Sequence, residues 1–183
     1  MGAVERQAEK VLGQVPAWIW DGASTPVPVE TIADSVYGLH VRDIADLSTA
    51  PGAPPAAPGQ SLSGLLLVGR REIWVNAEEA RQWPPRRRFT IGHELGHWIL
   101  HRTGRHAVFC RSTSVAAGEQ GEIDGGLPEI EAQAHAFAAA VLMPARIIQA
   151  VHDEVDGDVD ELCGRFGSSR AAMVRRLADV LGD

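Results

Sequence analysis

Cysteine is scarce in this chain: Cys110 and Cys163 are the only two among 183 residues. They are too few and too far apart for a disulfide framework, which excludes the small bridge-stapled secreted folds. Two free thiols packed as small apolar groups in a reducing cytoplasm are expected instead. Long hydrophobic runs are missing as well, since no stretch approaches the roughly 20 apolar residues that a spanning helix needs. Residues 1–12 mix Glu5, Arg6, Glu9 and Lys10 with Val4, Ala8, Val11 and Leu12, the pattern of an amphipathic helix and not of an export signal. Positive charge is also outweighed, with 17 Lys and Arg against 24 Asp and Glu. The resulting net charge of −7 repels a phosphate backbone, so direct DNA binding is not the expected activity. Tyr37 is the sole tyrosine. It is therefore the one phenol available to polarise a carbonyl, although packing is the role expected of it.

What is present suits one globular domain with a hydrophobic core. Proline and glycine break the chain after the first helix, around Trp18, Ile19 and Trp20. Val29–Tyr37 has helical spacing, with Gly38 as its stop, and His40–Leu47 alternates like a half-exposed strand. The proline-rich stretch 50–59 reads as a surface loop. Leu65–Val68 and Glu72–Val75 flank Gly69-Arg70-Arg71 as a hairpin. A brief helix over Glu78–Gln82 follows, then a break at Pro84-Pro85, then a long helix over Arg87–His101. Residues 102–128 have only a weak apolar pattern and read as a long loop able to cover a site. Beyond it the chain is helical almost throughout: Glu129–Met143 stopped by Pro144, Ala145–Val155, Val159–Phe166, and a last helix to Leu181 capped by Ser168 or Ser169.

One motif carries chemistry. In His93-Glu94-Leu95-Gly96-His97, residues four apart are rotated by roughly 400°, nearly one full turn, so both imidazoles leave the same helix face and can grip one ion. Neutral imidazole suits zinc, and a catalytic zinc takes three protein ligands and keeps one position open for water. Glu94 projects beside that face, where it can serve as general base. Gly92 and Gly96 flank the histidines, which implies that something approaches the helix closely, because glycine inside a helix costs up to about 1 kcal/mol. A carboxylate for the third position is available on the alanine-rich helix that starts at Glu129. Glu131 is the first choice, with Glu129 and Glu122 as competitors. His135 lies one turn beyond Glu131, placed to orient a ligand or to stabilise an oxyanion.

Together, Arg88–His101 and Glu129–Pro144 resemble the ImmA/IrrE metallopeptidases. The shared features are an F-T-x-x-H-E-x-G-H core and an E-x-x-A-x-x-F-A-x-x-x-L-M-P helix, matched here by Glu131, Ala134, Phe137, Ala138, Leu142, Met143 and Pro144. The resemblance implies an α+β, gluzincin-like zincin fold with a small antiparallel-type sheet and a mostly helical C-terminal half. It implies Zn2+ held by His93, His97 and Glu131, Glu94 as catalytic base, and a helix-turn-helix repressor of a mobile element or stress response as protein substrate. Two departures stand out: His135 occupies a position that is often Asn in the family, and Gln133 one that is often Glu. The expected organisation is an N-terminal helix and connection over 1–27, a metallopeptidase core over 28–144, and a helical segment over 145–183 packed on the core.

Two other readings compete. One is a catalytically idle metal-binding module that regulates by binding a partner repressor. The other is a DNA-binding regulator that uses Val159–Leu181 as a helix-turn-helix, with Arg170, Arg175 and Arg176 as its contacts. His101 lies four after His97 and could extend the polar face toward substrate, although a last-turn location suffices to account for it; His40 and His106 have no partner identifiable from sequence, and His152 sits in an acidic surface stretch.

Overall fold

The computed structural model describes residues 2–50, 53, 60–101, 108–114 and 129–182. Helix α1 (Ala3–Gly13) leads into a short α2 (Val29–Thr31), whose ladder widens into a π-helical segment over Ile32–Val36. Gly38 follows at φ +62°, where the expected helix stop lies. Strand β1 (His40–Ile44), β2 (Gln60–Leu67) and β3 (Glu72–Asn76) come next, then α3 (Ala77–Gln82), α4 (Pro84–Leu100) and β4 (Val108–Ser114). Four helices end the chain: α5 (Glu129–Leu142), α6 (Ala145–Glu154), α7 (Val159–Phe166) and α8 (Arg170–Leu181). This is the expected α+β zincin-like class.

The sheet order is β1-β3-β2-β4. The β2–β3 hairpin is antiparallel, as expected, and β4 adds antiparallel to β2. Strand β1, however, runs parallel to β3, from His40 beside Glu72 to Ile44 beside Asn76, so the sheet is mixed and not purely antiparallel. The expectation of one long loop over 102–128 is corrected too, because Val108–Ser114 within it is an edge strand. The rest of that stretch, with His106 and Glu122, lies outside the described residues, as does most of the proline-rich stretch.

Period-2 alternation gives the sheet two apolar faces. Leu66, Ile73 and Val75 point into the main core with Ile91, Leu95 and Trp98 of α4, while Leu65, Leu67 and Trp74 form a smaller cluster with Leu47 and Leu62 on the other side. By strict alternation Leu62 belongs with Leu66. A register shift between Leu62 and Gly64 moves it to the opposite face.

Helix α4 starts earlier than expected. Pro84 and Pro85 occupy its first turn and do not break it, since the N–H groups they lack have no partner inside the helix at that point. Asn76 caps α3, Asp158 caps α7 and Ser169 caps α8. Arg176 of α8, a candidate DNA contact, is instead 4% exposed: its Nε donates to the Met143 carbonyl oxygen and its Nη atoms to Glu5 of α1. Arg170 pairs with Asp160. Among the described residues no single helix is long and apolar enough to cross a membrane. Cys163 is a free thiol whose pKa burial pushes up.

Candidate metal centre

Helices α4 and α5 meet at small residues. A Cβ at Gly96 would lie 3.2 Å from the Ala134 carbonyl oxygen and from Phe137 Cδ1, tighter than side chains ordinarily pack. Ala134 and Ala138 are fully buried at this seam. Gly96 is therefore what lets α5 come close enough to bring a carboxylate to the α4 histidines.

That carboxylate is Glu131. Its Oε2 is 3.1 Å from His93 Nε2, its Oε1 is 3.1 Å from His97 Nε2, and the two Nε2 atoms are 3.1 Å apart. These contacts are hydrogen bonds where a ring nitrogen carries a proton, and with both nitrogens deprotonated the same atoms are donors able to hold a cation. Tetrahedral zinc, with bonds of about 2.0–2.2 Å to nitrogen and oxygen, separates its donors by about 3.3 Å, so the triangle has the size of a zinc site. The chemistry fits as well: two imidazoles and one carboxylate leave a fourth position open. Among the described residues these three form the group able to hold a metal ion. Burial pushes the Glu131 carboxyl up, but hydrogen bonding to His93 and His97 and their charge outweigh it, holding the group well below the usual carboxylate range. Glu129, its competitor, points elsewhere and accepts from Gln133.

Glu94 is fully buried, on the side of α4 that faces β2. There strand and helix touch at Gly64, where a Cβ would fall closer than 3.0 Å to Thr90 Cγ2 and 3.2 Å from Glu94 Oε1. Thr90 belongs to the F-T-x-x-H-E-x-G-H core, whereas nothing in the motifs points to Gly64. The available signal is a glycine five residues past the proline-rich loop and directly before the Leu65–Val68 strand pattern.

His135 stacks edge-on against His93, with ring centroids 4.6 Å apart, and also lies against Phe89. Its Nδ1 is 2.9 Å from the Glu131 carbonyl oxygen, so Nδ1 carries the proton there. His101 does more than occupy a last turn, since it contacts His97 and Gln133. His40 bonds Asp34 on the exposed surface, and Tyr37 packs against the main core.

An H-E-x-x-H helix backed by a mixed sheet, with a carboxylate presented by a second helix, is the architecture of zincin-like metallopeptidases. Comparison with known families agrees: the sequence profile of the IrrE N-terminal-like domain, Peptidase_M78, matches residues 56–178. The chain belongs to that family. A solved structure described as a Mycobacterium tuberculosis transcriptional regulator shares the fold, with a TM-score of 0.52 at 17% identity, over 97% of this chain and 47% of that one. The chain thus spans about half the length of that regulator. No curated protein sequence matches it.

Proposed function

We propose that this chain is a zinc-dependent endopeptidase whose substrate is a protein, a helix-turn-helix transcriptional repressor. The observation that carries the proposal is the set of 3.1 Å contacts joining His93 and His97, on the helix that also bears Glu94, to each other and to the Glu131 carboxylate of α5. His93, His97 and Glu131 would hold the ion. Zinc, when bound, supplies Lewis acidity that lowers the pKa of water to about 7 and polarises a peptide carbonyl. Glu94 takes the proton of the attacking water and returns it to the leaving amine. His135, whose ring lies against His93 and whose Nδ1 donates to the Glu131 carbonyl oxygen, would stabilise the oxyanion through Nε2 when that nitrogen is protonated. Residues 28–144 would carry this chemistry, with 1–27 and 145–183 packed on them. The substrate class is supported by the family and, more loosely, by the fold shared with a protein described as a transcriptional regulator.

The test uses the zinc-loaded chain and the helix-turn-helix repressors of the same genome as candidate substrates, with fragments read by mass spectrometry. Wild type should cut one of them at a defined bond. Glu94→Gln should still bind zinc but lose cleavage by a factor of about 10²–10⁴, the contribution of a positioned base. Cleavage undiminished in Glu94→Gln would refute the assigned base. Repressor binding without cleavage by wild type would favour the idle binding module.

A further inference from the structure

His97 has a second ring nitrogen, and the partner of that nitrogen decides what the first can do. His97 Nδ1 lies 3.0 Å from His101 Nδ1, one turn along α4. His101 Nε2 is 2.9 Å from Gln133 Oε1 on α5, and Gln133 Nε2 donates to Glu129 Oε1 at 2.9 Å.

From the carboxylate outward, each step has one allowed polarity when His101 is a neutral imidazole. An ionised carboxylate only accepts, so the Gln133 amide presents its NH2 to Glu129 and its carbonyl oxygen to His101. A carbonyl oxygen only accepts, so His101 donates from Nε2. A neutral imidazole that donates from Nε2 accepts at Nδ1, so the proton between the two histidines belongs to His97 Nδ1. His97 Nε2 is then left with a lone pair, aimed into the 3.1 Å triangle with His93 and Glu131. In the opposite polarity, His97 would carry its proton on Nε2, and a proton and a metal ion cannot share that lone pair.

We infer that Glu129, Gln133 and His101 form a one-way hydrogen-bond chain that holds His97 in the tautomer able to ligate a metal ion through Nε2. Gln133 and His101 are thus positioning residues for the ion, an inference that rests on the metal centre proposed above. The terminal carboxylate also polarises the chain toward His97 and raises the basicity of its ligating nitrogen.

Zinc dissociation constants of the full chain, measured by competition with a chromophoric chelator, test it. Gln133→Lys replaces the acceptor by a donor, Gln133→Met removes it at similar length, and Gln133→Glu keeps it. The expected affinities are about 10–100-fold weaker for the Lys and Met variants and within about threefold of wild type for Glu, the range for loss of a group behind a ligand. Urea unfolding of the metal-free variants shows whether each still folds. Should the Lys variant fail to fold, the Met variant decides. In zinc-loaded wild type with 15N-labelled histidine, the proton bonded to His97 Nδ1 should also show scalar coupling to His101 Nδ1. Equal affinity in the Lys, Met and wild-type proteins, or a proton residing on His101 Nδ1, overturns the chain while leaving the metal centre standing. A wild type that binds no zinc overturns the metal centre, and this inference with it.

Discussion

Gly64 is where the sheet supports the metal helix, and its replacement gives a sharp test of the packing. A Cβ there would fall closer than 3.0 Å to Thr90 Cγ2, whereas carbon atoms pack at about 3.5–4.0 Å. Gly64→Ala therefore forces β2 and α4 apart. Overpacking of this kind costs about 1–3 kcal/mol, and the smaller entropy of the unfolded Ala chain returns about 0.4–1 kcal/mol. The net loss is about 1–2 kcal/mol. Thr90→Ser removes the clashing methyl but keeps the hydroxyl, at about 1 kcal/mol for one buried methyl group. In that background the remaining two of the three nearest contacts are Glu94 Oε1 at 3.2 Å and the Trp74 carbonyl oxygen at 3.5 Å. Gly64→Ala should then cost less than about 0.5 kcal/mol, a coupling of about 1 kcal/mol between the two sites. Urea unfolding measures it: with a slope of about 2 kcal/mol/M, Gly64→Ala lowers the midpoint by about 0.5–1 M in wild type and by little in Thr90→Ser. An equal cost in both backgrounds would refute the steric account of this contact.

Other outcomes follow from the same structure. Zinc at 100 times its dissociation constant should stabilise the chain by about 2.7 kcal/mol, read by thermal melting, and Glu131→Ala or His97→Ala should remove most of that increment. Glu5→Ala leaves the buried Arg176 guanidinium without its carboxylate, and should cost about 3 kcal/mol in urea unfolding. Burial raises the Tyr37 phenol above its ordinary value, so folding favours its neutral form; the stability it contributes is whole below the unfolded value of about 10 and is lost as pH rises through the folded one. Because Tyr37 is the only tyrosine, an absorbance titration at alkaline pH reads it directly, and a midpoint equal to that in urea would contradict its burial.

The parts of the fold legible in the sequence are those encoded by local spacing. The pairing of His93 with His97 is set by helical rotation alone, and the β2–β3 hairpin by its turn residues, so both were found where they lie. What escaped depends on distant partners. Strand β4, at the edge of the sheet among the described residues, ends in Arg111-Ser112-Thr113-Ser114, and such a polar composition reads as a loop. The parallel pairing of β1 with β3 is not written in either segment, since the hydrophobic alternation of a short strand is the same in both directions. Gly64 acquires its meaning only from Thr90 and Glu94, far along the chain.

The proposed third ligand shows how far one helix can be read. Glu129 and Glu131 were both candidates, and two positions on a helix differ by about 200°, so a single ion can be faced by only one of them. The structure uses both stripes. Along one, Glu131 meets His93 and His97, and His135 one turn later lies against His93. Along the other, Glu129 holds Gln133 one turn later, and Gln133 meets His101 behind His97. Glu129, which does not face the proposed ion site, is thus not idle: α5 presents one carboxylate to His93 and His97 and sets the second behind them, so a rotation of α5 about its axis that displaced either stripe would disturb His97 from both sides.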